Sequence, residues 1–319
     1  MRSLEAERRF DAAIILRLNT SAHTSEKIIE YHTPQAAKAH PQSSDVFASG
    51  TLCGNRLYAC TYTEVIVYDI PSFRQVTRIS LPCFNSLHHV RPTDRGSLLV
   101  ANTGLDMVLE MTLDGRVLRD WSVLGHNAWD RFSRSVDYRK LSTKPHLSHP
   151  NFVFEISDNV WVTRLCQKDA ICLTRPAAPI KISLERPHDG LLHEDLLYFT
   201  TVDGHLVIVD SISLKTLSII DLRTFRGYCF AGPAWCRGVL VISPGMVCVG
   251  FTRIRKPLLL NAANWIRHGF READPPTHLA VFDLQKRECL DAINLEPHEI
   301  NILFGILAAN EIPQATYVG

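Results

Sequence analysis

The chain has 319 residues, of which 46% are hydrophobic, and a formal net charge of +1. This composition allows a large buried core and carries no general attraction for nucleic acid or for an anionic membrane surface. The first eleven residues are charged and lack a long apolar run, so we expect neither a signal peptide nor a membrane segment, and a cytoplasmic protein. Nine cysteines without a Cys-x-x-Cys pair favour free thiols over disulfides or a zinc knuckle.

The chain opens with two predicted strands, Ala13 to Leu18 and Lys27 to Tyr31, which need partners from elsewhere in the sequence. From residue 47 a unit of four short strands recurs with a base period of about forty residues and two insertions. The second strand of each unit marks the repeat: Leu57 to Cys60, Leu98 to Ala101, Val160 to Thr163, Leu197 to Thr200 and Val247 to Gly250.

Four antiparallel strands in every repeat are typical of a blade of a β-propeller. A β-sandwich also uses short, evenly spaced strands, but it does not predict the same unit five times. We therefore predict an all-β protein, a single propeller domain over residues 1–319. The strand Ile300 to Ala308 and the two N-terminal strands would complete a sixth blade and close the ring, while five or seven blades stay open as alternatives.

The two insertions cover about residues 124–145 and 252–277. Long loops on a closed ring often lie over its mouth and shape a binding site, so we expect both to do so. Decoration of the outer rim is the alternative.

Four histidines occupy matching places at the openings of predicted blades: His89, His149, His188 and His298. Because the first strand of each blade lines the axis of a propeller, these imidazoles are predicted to converge there. Burying several imidazoles together is costly unless something organises them, and a divalent metal is the usual organiser. His88 would point to the opposite face of its strand and is the weaker candidate.

An all-imidazole shell suits iron(II), copper or zinc and not calcium or magnesium, which prefer oxygen ligands. Ligating histidines usually donate their second nitrogen to a carboxylate or a carbonyl, and three acidic residues are available: Glu155, Asp189 and Glu299. Further residues are predicted to line the pocket: Trp235, Cys236, Arg237, His88 and His193.

The segments Leu87-His88-His89, Ser148-His149-Pro150, Pro187-His188-Asp189-Gly190 and Pro297-His298-Glu299 resemble the way carotenoid cleavage oxygenases present four histidines to a non-haem iron. That resemblance implies a dioxygen-dependent enzyme, although the family has seven blades on a longer chain. In length and blade count the chain is more similar to gluconolactonase-like and strictosidine-synthase-like six-bladed propellers, whose metal is held largely by carboxylate and amide side chains.

The leading hypothesis is therefore a non-haem iron(II) oxygenase that acts on a small organic molecule at the axis, with zinc or copper as alternative metals. A zinc-dependent hydrolase, lyase or isomerase of the lactonase-like type is the second hypothesis. A non-catalytic propeller that presents its face to a protein partner is the third.

Overall fold

The computed structural model describes residues 10–38, 44–182, 184–230, 232, 234–253 and 275–308. These residues form five four-stranded antiparallel sheets and one two-stranded hairpin. None of the helices within the described ranges is both long and apolar enough to cross a membrane. All nine cysteines are free thiols, as their number and spacing predicted.

The hairpin consists of β1 (Ala13–Asn19) and β2 (Thr24–Tyr31). The first two sheets are β3 (Gly50–Cys53), β4 (Arg56–Cys60), β5 (Val65–Asp69) and β6 (Gln75–Ile79), then β7 (Leu87–Pro92), β8 (Leu98–Asn102), β9 (Met107–Met111) and β10 (Val117–Ser122). The third and fourth are β11 (Pro150–Ile156), β12 (Asn159–Arg164), β13 (Asp169–Cys172) and β14 (Ile180–Lys181), then β15 (Pro187–His193), β16 (Leu196–Thr201), β17 (His205–Asp210) and β18 (Thr216–Asp221). The fifth is β19 (Ala234–Ser243), β20 (Met246–Arg253), β21 (His278–Asp283) and β22 (Glu288–Asn294). Short 3-10 helices span Thr103–Leu105, Ala128–Asp130, Tyr138–Lys140, Leu222–Thr224 and Glu296–His298.

Each sheet is a meander whose strands pair in chain order, and the first strands of successive sheets pack on one another. The first strands therefore form the inner wall of a ring, and the fourth strands lie outside, where apolar side chains such as Val76, Leu118 and Leu217 are exposed. This is a β-propeller of five blades. The all-β propeller prediction is confirmed. The blade number is five, which was one of the alternatives, and not the favoured six.

Large side chains fill the space between neighbouring blades. Between the third and fourth blades, Phe154 on β11 stacks on Trp161 of β12 and meets Phe199 of β16 edge to face, with all three fully buried. Aromatic and β-branched residues favour strands because they pack well on a pleated surface. The alternation of such residues in the sequence thus sets both the strands and the packing between blades.

The gap between the first and fifth blades is closed without a sixth sheet. Ile29 of the hairpin packs on the first blade and Leu18 on the fifth. Residues 300–308 have no strand conformation, and they run between the same two blades, where Thr252 exchanges two hydrogen bonds with the backbone of Leu303. A methyl group on Gly250 would overlap the side chain of Leu303. The predicted sixth blade fails because its two parts pack on their neighbours instead of pairing with each other.

The loop of residues 124–145 connects β10 to β11 and is tied to the second blade. Asn85 Nδ2 donates to the carbonyl oxygens of Tyr138 and Leu141, at 2.6 and 2.8 Å. The loop thus delivers residues 146–149 to the start of β11. The second predicted loop, 252–277, lies mostly outside the described residues.

Candidate active site at the propeller axis

Four basic side chains come from the openings of four consecutive inner strands: His88, His149, His188 and Arg237. The rings of His88 and His149 meet edge to face with their Nε2 atoms 3.2 Å apart. The ring centroids of His88 and His188 are 6.4 Å apart. We call these four residues, together with His146, the axial cluster.

A break in regular pairing accompanies each of these positions. In β7, Leu87 pairs with Asn102 and His89 with Ala101, so His88 is the extra residue of a β-bulge. Similar shifts lie between Pro150 and Phe152 in β11, between His188 and Leu191 in β15, and between Cys236 and Val239 in β19. Bulges re-aim side chains and are common next to active sites.

The backbone is strained at the same places. Ser86, His149 and Asp189 adopt positive φ values of 50°, 59° and 57°. A residue other than glycine pays a conformational cost there, and such residues collect at functional sites. The strain is an observation independent of the chemistry of the side chains.

The buried carboxylate of Asp106 shapes the chain that leads to His149. Its Oδ1 accepts hydrogen bonds from the backbone N–H groups of Ser148 and His149, both at 2.9 Å. Its Oδ2 accepts from Leu147 N–H and from Arg131 Nη1, each at 3.0 Å. Asp106 thus fixes residues 147–149 and offsets the charge of Arg131.

Two aromatic rings hold Arg237. Its guanidinium carbon lies 4.5 Å from the ring centroid of Trp235 and 4.9 Å from that of Phe304. Cations bind aromatic faces within about 6 Å. Residues 300–308 therefore contribute Phe304 to the axis, close to His88, whose ring centroid is 6.4 Å from that of Phe304.

Burial keeps the imidazoles of the cluster uncharged. It lowers the pKa of His88 to about 4, and it lowers the pKa of His149 and of His188 well below the ordinary value. The charge of Arg237 acts in the same direction on all three. At neutral pH each ring thus has one nitrogen that carries hydrogen and one that carries a lone pair, and the positive charge of Arg237 acts on all three rings.

Two of the four histidines predicted to converge lie elsewhere. His89 stacks on Phe152 of β11 with ring centroids 3.8 Å apart, and its Nδ1 accepts a hydrogen bond from Val153 N–H. The bulge turns His88 toward the axis in its place, so the preference for His89 over His88 is wrong. His298 ends a 3-10 helix and its Nδ1 is 2.8 Å from Ser25 Oγ of the hairpin. The four-histidine shell is therefore not formed.

The three predicted carboxylate partners do not contact the imidazoles of the cluster. Glu155 forms an ion pair with Arg91, and the exposed Glu299 with Lys27, at 3.4 and 2.6 Å. Asp189 Oδ2 accepts from Thr200 Oγ1 at 2.5 Å and from Gly238 N–H at 2.9 Å. Asp189 joins the inner strands of the fourth and fifth blades, and burial raises its pKa to about 6.

The remaining predicted pocket residues divide between the axis and other places. Trp235 and Arg237 belong to the axis. Cys236 is a fully buried thiol whose pKa burial raises well above the ordinary value, which makes it unreactive. His193 is exposed at the opposite end of β15 from His188.

A cavity of about 610 Å³ lies away from the axial cluster, beside the loop of residues 124–145. Its lining includes Trp121 of β10, Cys172 of β13 and the loop residue His126. None of the axial side chains line it. The cavity and the chemically distinctive residues are thus separate features.

As the side chains stand, the part of the chain that the structure describes contains no group of three or more His, Cys, Asp or Glu residues arranged to hold a metal ion. The pair His88 and His149 is nevertheless close enough for both Nε2 atoms to approach one ion. His188 Nε2 is buried and has no hydrogen-bond partner within the described residues.

Sequence reasoning missed three residues that shape the site, Ser86, Asp106 and Phe304, and it assigned a fourth, His146, only to the mouth of the ring. His146 Nδ1 is 3.0 Å from His149 Nδ1. Its position three residues before His149 was the available signal, because a chain that turns sharply brings such residues together. Asp106 and Phe304 reach the site only through the folded ring and leave no local signal.

Comparisons with known proteins identify the fold and not the family. No family model matches the chain, and no curated protein matches it. A protein of unknown function from Bacteroides caccae is similar in structure, with a TM-score of 0.60 and 12% identity over 92% of this chain and 93% of that one. Virginiamycin B lyase from Staphylococcus aureus is similar with a TM-score of 0.50 and 12% identity, over 93% of this chain and 82% of that one.

Proposed function

We propose that the protein is an enzyme that carries out acid–base chemistry on a small organic molecule at the axial cluster, as a lyase or an isomerase does. The observation that carries this proposal is the cluster of buried, uncharged imidazoles at the axis, on which the charge of Arg237 also acts. An imidazole lone pair can take a proton from a substrate at neutral pH. The fixed charge of Arg237 stabilises the negative charge that the substrate then develops.

A purely structural role explains the cluster poorly. Buried His188 Nε2 has no hydrogen-bond partner within the described residues, and an unpaired buried polar atom costs about 1–3 kcal/mol. The positive φ values of His149 and Asp189 add a further cost. Aliphatic side chains would fill the axis without either penalty, so the cluster is better explained by a bound molecule that satisfies it.

Virginiamycin B lyase, one of the structural neighbours, is by its name a lyase. At 12% identity this likeness supports the fold alone. The proposal therefore rests on the side chains of this chain, and the neighbour is an analogy for the reaction class.

A metal-dependent reaction is the second candidate. The 3.2 Å between His88 Nε2 and His149 Nε2 suits two ligands of one ion, and His88 Nδ1 donates to the Ser86 carbonyl as metal-bound histidines commonly do. His88, His149 and His188 would hold iron(II), zinc or copper, which would supply Lewis acidity or, for iron and copper, dioxygen chemistry. The oxygenase hypothesis in its four-histidine form loses its ligand set, because His89 and His298 lie elsewhere.

The test is an untargeted search for turnover. The purified protein is incubated with an aqueous extract of cellular small molecules, and the compounds consumed are followed by mass spectrometry. His188→Gln should slow consumption on the order of 100-fold, the usual loss when a group that acts on protons is removed. His193→Gln is the matched control, because His193 is exposed at the opposite end of β15 from His188.

Equal consumption by the wild-type protein and His188→Gln would contradict the proposal. Elemental analysis and a chelator separate the two candidates. Activity that persists after chelation supports acid–base chemistry without a metal, whereas a stoichiometric metal whose removal abolishes turnover supports the second candidate.

A further inference from the structure

Three histidines form a continuous hydrogen-bonded row that begins at a backbone carbonyl. His88 Nδ1 is 2.8 Å from the carbonyl oxygen of Ser86. His88 Nε2 is 3.2 Å from His149 Nε2, and His149 Nδ1 is 3.0 Å from His146 Nδ1. Every contact along the row thus joins two ring nitrogens, except the first.

The first contact determines where every proton in the row lies. A carbonyl oxygen only accepts, so His88 Nδ1 must carry the hydrogen, and the Nε2 of neutral His88 is then bare. His149 Nε2 must therefore donate to it, which leaves His149 Nδ1 bare. His146 Nδ1 must donate in turn, and the lone pair that remains at the end of the row is on His146 Nε2.

His146 Nε2 is buried and has no hydrogen-bond partner within the described residues. The ring is also the least buried of the three in the row. At the end of the row, the hydrogen bonds thus require a lone pair on His146 Nε2, and the His146 ring is the one nearest to solvent. A donor group on a bound molecule would satisfy that lone pair.

We propose that His146 is the catalytic base of the acid–base reaction proposed above, and that His149 and His88 are positioning residues which fix its tautomer. Base and orienting partner in direct hydrogen-bond contact are the arrangement that makes a histidine an effective base. Here two histidines and the Ser86 carbonyl take the place of the usual carboxylate.

The reaction step balances without an oxidant or a reductant. The lone pair on His146 Nε2 takes a proton from a substrate atom, and the electrons of the broken bond stay on the substrate. In an elimination these electrons form a new π bond and expel a leaving group, to which the imidazolium of His146 returns the proton. In an isomerisation the proton returns to a different atom of the same molecule.

Ring-nitrogen NMR tests the tautomers without a substrate. In protein labelled with ¹⁵N-histidine, two-bond ¹H–¹⁵N correlations distinguish a bare nitrogen from a protonated one, and each signal is assigned by its loss in the corresponding His→Gln variant. We expect hydrogen on Nδ1 of His88 and His146 and on Nε2 of His149. His89 is the internal contrast, because Val153 N–H donates to its Nδ1 and so requires hydrogen on Nε2.

His88→Gln tests the coupling along the row. A glutamine side chain both donates and accepts, so it no longer dictates the tautomer of His149, and the His146 signals should shift toward a mixture of the two tautomers. A His146 that carries hydrogen on Nε2 in the wild-type protein would overturn the inference. So would a His146 signal unchanged by His88→Gln, or by His149→Gln if the first variant does not fold.

Turnover found in the metabolite search tests the catalytic role. We expect His146→Gln to lower kcat on the order of 100-fold with little change in KM. If His146→Gln retains full turnover while His188→Gln loses it, this inference fails and the proposed function stands. If no axial substitution affects turnover, the proposed function itself fails.

Discussion

The four inner strands that carry a bulge differ from the one that does not. β7, β11, β15 and β19 each have a register shift near the axis and each brings one basic residue to it. β3 pairs with β4 in unbroken register from Gly50 to Cys53 and contributes no histidine or arginine. The regular strand β3 lies where the ring closes, and Ser49 just before it contacts Gly305. The bulged strands carry the side chains of the candidate site.

Acidification should have the largest effect on this arrangement. Burial lowers the pKa of His89 to about 3 and that of His278 to about 4, from 6.5. The unfolded chain therefore binds more protons than the folded one below pH 6.5. Stability is fully present above that pH and falls as pH decreases, by about 1.4 kcal/mol per pH unit for each histidine down to its folded-state pKa.

Urea unfolding at a series of pH values between 7.5 and about 4 measures this slope. Asp189, whose raised pKa of about 6 makes the folded state bind the extra proton, opposes the histidines over part of the range. A free energy of unfolding that stays constant from pH 6.5 to 4.5 would contradict the burial of neutral histidines.

Asp106→Asn should cause the next largest loss of stability, because it weakens the hydrogen bonds that hold residues 147–149 before the bulged strand β11. The variant replaces a buried carboxylate that holds Arg131 and three backbone N–H groups, and we expect a loss of about 3 kcal/mol in the free energy of unfolding. Asp120→Asn is the control, since its partner Arg134 is largely exposed and their ion pair should be worth less than about 1 kcal/mol. Similar losses for both variants would show that Asp106 is not a structural anchor.

Gly250→Ala tests the packing that closes the ring between the first and fifth blades. A methyl group there would overlap both the carbonyl oxygen of Arg237 and the side chain of Leu303, so we expect a loss of about 2–3 kcal/mol in unfolding free energy. At Gly96, whose φ is +76° and which has no atoms near a built methyl group, alanine should cost about 1 kcal/mol. An equally small loss at Gly250 would mean that residues 300–308 do not pack tightly against the fifth blade.

His89→Gln and His88→Gln should have the smallest effects on the free energy of unfolding. Together they test whether His89 has a structural role and the adjacent His88 a functional one. Loss of the stack on Phe152 and of the bond from Val153 N–H should make His89→Gln less stable by about 2 kcal/mol at pH 7.5. His88→Gln should cost at most about 1 kcal/mol, because glutamine can still bond the Ser86 carbonyl. In turnover assays the order should reverse, and a greater loss of activity in His89→Gln would break the distinction.

The strands were predictable because their side-chain pattern is local. The second strands of all five units, β4, β8, β12, β16 and β20, lie where the repeat places them. The blade number was not predictable in the same way. Residues 300–308 could pair with the hairpin or pack as an irregular segment. The outcome depends on their contacts with Ser49 and Thr252, and on the contacts of Phe304, which exist only in the folded ring.

The site was predicted in part, for an equally physical reason. In a regular strand, neighbouring side chains point to opposite faces, and on this basis His89 was predicted at the axis in preference to His88. The bulge that reverses this arrangement cannot be recognised from the spacing of residues in the sequence. The Pro-His dipeptide shared by Pro297-His298 and Pro187-His188 was also misleading. The first segment forms a 3-10 helix and the second lies at the start of β15, so the same dipeptide has two backbone conformations.

The stacking of Arg237 between Trp235 and Phe304 gives the protein a built-in optical probe. The indole of Trp235 is 38% exposed, so its emission responds both to solvent and to the guanidinium at 4.5 Å. A molecule that draws the guanidinium away from the indole changes that emission. Compounds can thus be screened by fluorescence before any reaction is known, with a Trp235→Phe variant to identify the part of the signal that arises at the axis.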